Sequence, residues 1–249
     1  MDDLDLDLDL GDREKTRIFK PKIHRPLGDI NIKYSNAADM AKGIGLPKKD
    51  TRLFSIIPGN FIFGDLIEAF VVENNLNVQD IKISTLSMSE ANVDSLANLI
   101  NGGYADDLSL ILSSYFFQHE KFKMVRYIYE ELDGPHNKFQ LAVAACHVKM
   151  CIIKTQGNGH YVFHGSANLR SSDCLEQFVV EESKDLFSFT NEWMVKVIME
   201  YKTINKDLRG TKLWGVLQKQ GQAEVGAHGK KVQRQKKESP QEKNNSWEV

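Results

Sequence analysis

Residues 146–182 read CHVKMCIIKTQGNGHYVFHGSANLRSSDCLEQFVVEE, and they carry the most informative local patterns of the chain. A Gly-Asn-Gly turn at 157–159 separates two apolar runs, which is typical of a β-hairpin. The first run extends back to residue 139 and is apolar on both faces, which predicts one central strand over 139–154. The second run predicts a strand over 161–164, and a third apolar run predicts another over 175–180.

Helix and strand patterns alternate in the sequence around this block. Ser87 and Glu90 have the spacing of a capping box, which predicts that a helix opens there and ends at the glycine pair 102–103. The other patterns predict strands over 52–57, 81–85 and 108–117 and helices over 61–72, 122–132 and 192–201. Strands alternating with helices predict a single α/β domain, built as a layered sheet flanked by helices.

The composition is that of a globular protein. The chain has 249 residues, of which 41% are hydrophobic and 27% are charged, so a core forms without disulfides. Its three cysteines are an odd number in apolar segments, which favours a reducing compartment. The most apolar stretch, 139–153, is too short to cross a bilayer, and the N-terminus lacks a basic region followed by an apolar run. We therefore predict a cytoplasmic protein with no membrane segment.

Charge separates the two ends of the chain from its body. Residues 1–12 carry six aspartates and no base, whereas residues 220–249 carry six Lys or Arg against four Glu. Such low-complexity, polar segments are typical of flexible tails. We predict an acidic tail and lead-in over 1–44, a folded domain over 45–205, and a C-terminal extension over 206–249 that is disordered from about residue 220.

The chemistry concentrates in the same block. His147 and Lys149 are two apart on the predicted central strand, so their side chains leave the same face. A lysine there is costly unless that face opens into a site. The turn Gly-Ser-Ala-Asn at 165–168 brings N–H groups, a hydroxyl and an amide to one place, which suits an anion. A core histidine with a snorkelling lysine is the alternative, but the nearby turn favours a phosphate site.

This pattern resembles the half-motif of the phospholipase D superfamily, which has H-x-K, then G-S-x-N, then a carboxylate on the next strand. Here these are 147–149, 165–168 and Glu176. The resemblance implies a phospholipase D-like fold and phosphodiester cleavage without metal or cofactor, through a phosphohistidine. It implies catalytic roles for His147, Lys149, Asn168 and Glu176, and substrate binding by Gly165, Ser166 and Arg170. For Arg170, plain solvation is an equal alternative.

Members of this superfamily act through two H-x-K motifs, and this chain has one that is followed by G-S-x-N. Two other segments, His24-Arg25 and residues 136–138, lack that turn. The resemblance therefore implies a homodimer with its site on the two-fold axis, where two copies of His147 meet. The GSANL and EQF segments are most similar to short phage and mobile-element proteins, so we expect a nuclease acting on DNA or RNA. A lipase would be expected to have an apolar helix that binds the membrane interface, and the sequence shows no such helix.

One position departs from the family pattern. After H-x-K and four further residues the superfamily has an aspartate, and this chain has Lys154. Strand parity predicts that Lys154 lies at the far end of its strand and points away from the site. The substitution keeps two alternatives open: an inactive nucleic-acid-binding module of a phage or mobile element, and a structural protein that uses the fold for assembly.

Two further readings of the sequence concern zinc and the aromatic residues. Cys146, Cys151, Cys174 and two histidines are close in sequence, but Cys146 and Cys151 would point to opposite faces of a strand. No Cys-x-x-Cys is present, which favours thiols over a zinc site. The aromatic residues within 115–129 are expected in the core rather than as platforms for bases. The basic cluster at 230–237 is either a weak nucleic-acid contact or an inert tail.

Overall fold

The computed structural model describes residues 22–24, 36–49, 51–58, 61–120, 123–133, 138–170 and 174–202. The Asp-Leu segment, Arg25, residues 134–137 and the extension 206–249 lie outside the described residues, and so do the predictions of flexible tails. Within the described ranges, no helix combines the length and the apolar character that a membrane span requires.

The described residues form eight strands and six helices. The strands are β1 (Lys22–His24), β2 (Arg52–Ile57), β3 (Val78–Thr85), β4 (Ala105–Ser113), β5 (Phe139–Ala144), β6 (Met150–Thr155), β7 (His160–Gly165) and β8 (Glu176–Glu182). The helices are α1 (Ala37–Ile44), α2 (Phe63–Glu73), α3 (Glu90–Asn101), α4 (Ser114–Glu120), α5 (Met124–Leu132) and α6 (Lys184–Tyr201).

All eight strands belong to one mixed sheet, in the order β1-β2-β8-β7-β6-β3-β4-β5. The strands β3, β4 and β5 are parallel, and the remaining pairs are antiparallel. Helix α3 connects β3 to β4, and α4 and α5 connect β4 to β5, as parallel neighbours require. The predicted α/β class, a sheet flanked by helices, is confirmed.

Apolar side chains cover both faces of the sheet. On one face, Phe63 and Phe70 of α2 contact Phe163 of β7 edge to face, with ring centroids 6.4 and 5.1 Å apart. On the other face, Met194 and Ile198 of α6 are buried in a cluster with residues of β4, β5, β6 and β7. Helices on both faces account for the apolar character of the central strands.

The predicted strand over 139–154 is wrong, because the segment contains two strands and a loop. β5 lies at the edge of the sheet, and β6 lies between β3 and β7. Residues 145–149 join β5 to β6 by crossing the ends of β4 and β3, a distance of three strand spacings of about 4.8 Å each. The crossing residues are half-buried or exposed, so the polar positions His147 and Lys149 mark a loop rather than a strand face.

Several other boundaries differ from the prediction. β4 ends at Ser113, and the last residues of the predicted strand 108–117 begin α4. α3 begins at Glu90 with Ser89 as its N-cap, so the capping box at Ser87 is wrong. β1 and α1 both precede residue 45; β1 pairs with β2, and α1 packs on α2. The domain limits themselves stay predictions.

Candidate active site

The H-x-K segment is a loop held against the carboxyl end of β3. Ser84 donates a hydrogen bond from its hydroxyl to the Val148 carbonyl at 2.8 Å, and its Oγ lies 3.3 Å from the Sγ of Cys146. These contacts fix the loop on both sides of His147. The His147 side chain is exposed, and its imidazole has no hydrogen-bond partner among the described residues. An exposed, unpaired imidazole on an anchored loop is available to a ligand.

Lys149 joins this loop to the end of β7. Its carbonyl accepts a hydrogen bond from the Gly165 N–H at 3.3 Å, so the H-x-K loop and the G-S-x-N turn are adjacent. The Lys149 side chain is half-buried, and its Nζ donates to the His147 carbonyl at 3.2 Å. An ammonium group has three protons, so two remain for an anion.

The Asn168 side chain is oriented by the same end of β3. Its Oδ1 accepts a hydrogen bond from the Leu86 N–H at 3.2 Å. The next residue, Leu169, donates from its N–H to the Thr85 hydroxyl at 3.1 Å. The Asn168 amide nitrogen has no partner within the part of the chain that the structure describes. The amide is therefore fixed by its oxygen and presents its nitrogen as a donor.

Ser166 is held by β8. Its hydroxyl donates to the Glu176 carboxylate and accepts a hydrogen bond from the Gln177 N–H at 2.9 Å. A hydroxyl has one proton, and in this arrangement it points at Glu176. The turn therefore offers an anion the Asn168 amide rather than the Ser166 proton.

Gly165 has a packing reason to be glycine. A Cβ at this position would meet the Gln177 carbonyl and lie 2.7 Å from the Cα of Phe178, so the close approach of β7 and β8 excludes a side chain. Arg170, on the other side of the turn, is exposed.

The structure thus brings the three predicted segments to one end of the sheet, where β3 ends. The loop with His147 and Lys149 and the turn with Asn168 are both anchored to residues 84–86, and Glu176 is bonded to Ser166 in that turn. The anchors could not be predicted from the sequence, because a serine at a strand end belongs to no recognisable motif. The catalytic and substrate-binding roles of these residues stay predictions.

Lys154 lies at the other end of the sheet, but strand parity does not account for this position, because Lys149 lies in the loop before β6 and not on the same strand. It is the fifth residue of β6, paired with Asp80 of β3 and His160 of β7. At about 3.3 Å per residue, β6 carries it well away from the loop at 145–149. It lines a groove of about 630 Å³ beside the start of α6, together with Lys82, Lys196 and Glu192.

The three cysteines lie in different surroundings. Cys151 is buried in β6, Cys146 is half-buried in the loop, and Cys174 is exposed. Burial raises the pKa of the Cys151 thiol, and the nearby Asp80 carboxylate raises it further. Among the residues described, no group of three or more His, Cys, Asp or Glu side chains is placed to hold a metal ion.

One aromatic residue departs from the expected core. Phe116 and Tyr129 are buried, but Tyr115 is 65% exposed, so the core assignment is wrong for Tyr115. It is the second residue after β4, at the end of the sheet where β3 also ends. The exposure of Tyr115 follows from the change from strand to helix at Ser114. In a helix, positions 115 and 119 lie on one face and Phe116 lies on another.

No protein-family model matches the chain, and no curated protein is similar to it in sequence. Among solved structures, it resembles Nuc from Salmonella typhimurium, a phospholipase D family member. The two are 14% identical, with a TM-score of 0.42, over 60% of this chain and 96% of that one. NucT from Helicobacter pylori is 15% identical, with a TM-score of 0.43, over 61% of this chain and 98% of that one.

A third similar structure is TrmBL2, an archaeal chromatin protein described as having a novel mode of DNA binding. It is 12% identical, with a TM-score of 0.40 over 61% of this chain, and the match spans 54% of TrmBL2, about half its length. At identities and TM-scores this low, the three likenesses do not show what this chain does.

Proposed function

We propose that the chain is a phosphodiesterase that cleaves nucleic acid without a metal ion and acts as a homodimer. The observation that carries the proposal is the common anchor at residues 84–86. This strand end holds the H-x-K loop and the G-S-x-N turn side by side, with the His147 imidazole and the Asn168 amide nitrogen left without partners among the described residues. Donors and a nucleophile held in place before the ligand arrives are what phosphoryl transfer requires.

The reaction proceeds in two displacements. An imidazole nitrogen of His147 attacks phosphorus, and the P–O bond to the leaving group breaks as the P–N bond forms. The leaving oxygen takes a proton from a second imidazole. Water then attacks phosphorus, the P–N bond breaks, and the water proton passes to that second imidazole. Lys149 and Asn168 stabilise the charge on the non-bridging oxygens.

The second imidazole comes from a second copy of the chain. Only one H-x-K segment is followed by a G-S-x-N turn in the sequence, and His147 is exposed at the sheet edge. A two-fold axis beside the H-x-K loop would place two copies of His147 at one phosphate, where one acts as nucleophile and the other as acid.

Cleavage in the presence of excess EDTA tests the proposal. The full chain is incubated with end-labelled single-stranded and double-stranded DNA and RNA, and the products are separated on a denaturing gel. The wild type should cut at least one substrate and form an acid-labile protein–nucleic acid adduct. His147→Ala should do neither, whereas the matched control His160→Ala, at the other end of the sheet, should do both.

Binding without cleavage is the second candidate. It is favoured by the His147 imidazole, which has no orienting carboxylate among the described residues, and by the use of Glu176 to hold Ser166. A wild-type protein that binds these nucleic acids but cuts none, with His147→Ala binding equally well, would replace the enzyme with this candidate.

A further inference from the structure

Tyr115 has an exposed ring at the end of the sheet that carries the candidate site, and the proposed cleavage reaction gives this ring no role. It is 65% exposed, whereas the next residue, Phe116, is 4% exposed. An aromatic ring has a broad apolar face, so a ring that lies open beside a candidate site can pack against a flat apolar partner.

Two hydrogen bonds fix the backbone at Tyr115, and His119 of the same helix packs on its ring. The Tyr115 N–H donates to the Ser113 hydroxyl at 3.3 Å, and the His119 Nδ1 donates to the Tyr115 carbonyl at 2.7 Å. The His119 ring packs against the Tyr115 ring with centroids 4.2 Å apart and an interplanar angle of 35°. His119 therefore backs one side of the tyrosine, and the exposed remainder faces solvent.

The strand register places this pair beside the H-x-K loop. Ser113, at the end of β4, is paired with Ala144, where β5 ends and the loop begins. The loop reaches its anchor at Ser84 of β3 only by crossing the end of β4. Tyr115 lies two residues beyond that strand end, and neighbouring strands are about 4.8 Å apart. Tyr115 and the H-x-K loop therefore leave the sheet at the same end, beside neighbouring strands.

We propose that Tyr115 stacks on a nucleobase next to the phosphate bound at His147, and that the substrate is therefore single-stranded DNA or RNA. The inference rests on the proposed function, because it takes the ligand to be nucleic acid. Bases in a duplex already stack on their neighbours, whereas an unpaired base has a free face for an aromatic side chain. Such stacking tolerates any base, so no sequence preference follows from it.

An oligonucleotide without bases separates stacking from phosphate binding. Fluorescence anisotropy compares labelled oligothymidylate with an abasic tetrahydrofuran oligomer of the same length and charge, using chains that carry His147→Ala to prevent turnover. With Tyr115 present, the oligothymidylate should bind more tightly. Tyr115→Ala should weaken that binding about tenfold and leave the abasic oligomer unaffected, while Tyr115→Phe should retain both affinities.

Tyr104→Ala is the matched control. Tyr104 is 39% exposed and immediately precedes β4, so it lies at the opposite end of that strand from Tyr115. Its loss should change neither affinity. Circular dichroism checks that each variant is folded, and sedimentation checks its oligomeric state.

The outcomes separate this inference from the proposed function. If Tyr115→Ala leaves the affinity for oligothymidylate unchanged, or weakens binding of both oligomers equally, stacking is overturned while cleavage in EDTA still supports the enzyme. A change in oligomeric state alone would assign Tyr115 to a protein interface instead. If Tyr115→Ala loses base-dependent binding while the wild-type chain cuts no substrate in the EDTA assay, the stacking site stands and the enzyme is overturned. Binding to neither oligomer would overturn both.

Discussion

The amide oxygen of Asn168 accepts a hydrogen bond from the backbone N–H of Leu86 at 3.2 Å. Two residues earlier, the hydroxyl of Ser84 donates to the Val148 carbonyl at 2.8 Å. The end of one interior strand thus sets the spacing between the G-S-x-N turn and the H-x-K loop. Because β3 is paired on both sides, this spacing is a property of the folded chain and is set before any ligand binds.

Asn168→Asp separates the anchoring role of this side chain from its donor role. The aspartate keeps an oxygen for the Leu86 N–H but loses the amide protons and adds a negative charge where a phosphate would bind. We expect an unchanged urea midpoint and a loss of cleavage of about 100-fold or more. Asn168→Ala should lose the anchor as well, with about 1 kcal/mol less stability. Wild-type cleavage by Asn168→Asp would show that the amide does not contact the substrate.

Gly165→Ala should destabilise the fold itself. The added methyl would overlap the backbone of β8 at Gln177 and Phe178, and relieving the overlap should cost about 1–3 kcal/mol. The control is Gly157→Ala in the hairpin turn, where the nearest atom to the new Cβ is the Thr155 Oγ1 at 3.9 Å. Urea denaturation of both variants checks the difference, and equal midpoints would contradict the close approach of β7 and β8.

Alkylation should distinguish the cysteines and test the interior position of β6. Cys174 is exposed, whereas Cys151 is buried with the pKa of its thiol raised by burial. The thiolate is the reactive form, so iodoacetamide at mildly alkaline pH should modify Cys174 first. Cys151 should react only after unfolding. Peptide mass spectrometry over a time course gives the order, and early modification of Cys151 would place β6 at the surface.

The sequence predicted the elements whose apolar spacing follows one period throughout. β2 and the body of α2 match their predicted ranges closely, since their buried faces alternate or recur regularly. The range 139–154 failed because an apolar run records burial and not chain direction. β5, the crossing loop and β6 are all rich in apolar residues, and between residues 141 and 153 only His147 and Lys149 interrupt the run. Tyr115 was misassigned for a related reason, since a helix beginning at a strand end shifts the phase of burial.

The site was partly predictable for a different reason. The H-x-K and G-S-x-N segments flank one hairpin, so any pairing of β6 with β7 brings Lys149 close to Gly165. The anchors at Ser84 and Leu86 are more than sixty residues away in the chain. Contacts of that range depend on the strand order, which the local pattern does not specify.

Lys154→Met should leave cleavage within about twofold of the wild type, because position 154 lies at the far end of β6 from His147. Methionine keeps the apolar stem of the side chain and removes its charge. The variant is compared with the wild type in the EDTA cleavage assay, after its urea midpoint shows that the strand is intact. A large loss of cleavage in a stable variant would indicate that the groove beside α6 contributes to the reaction.

Mixing chains tests whether two copies of His147 share one site. Wild-type and His147→Ala chains are unfolded and refolded together, so that subunits pair at random. With the variant in about threefold excess, activity per wild-type chain should fall about fourfold, because only pairs of wild-type chains carry both imidazoles. The same chains refolded separately and then mixed are the control, and they should show no loss while their subunits do not exchange. If activity per wild-type chain stays constant after joint refolding, each chain carries a complete site and the shared-site dimer is wrong.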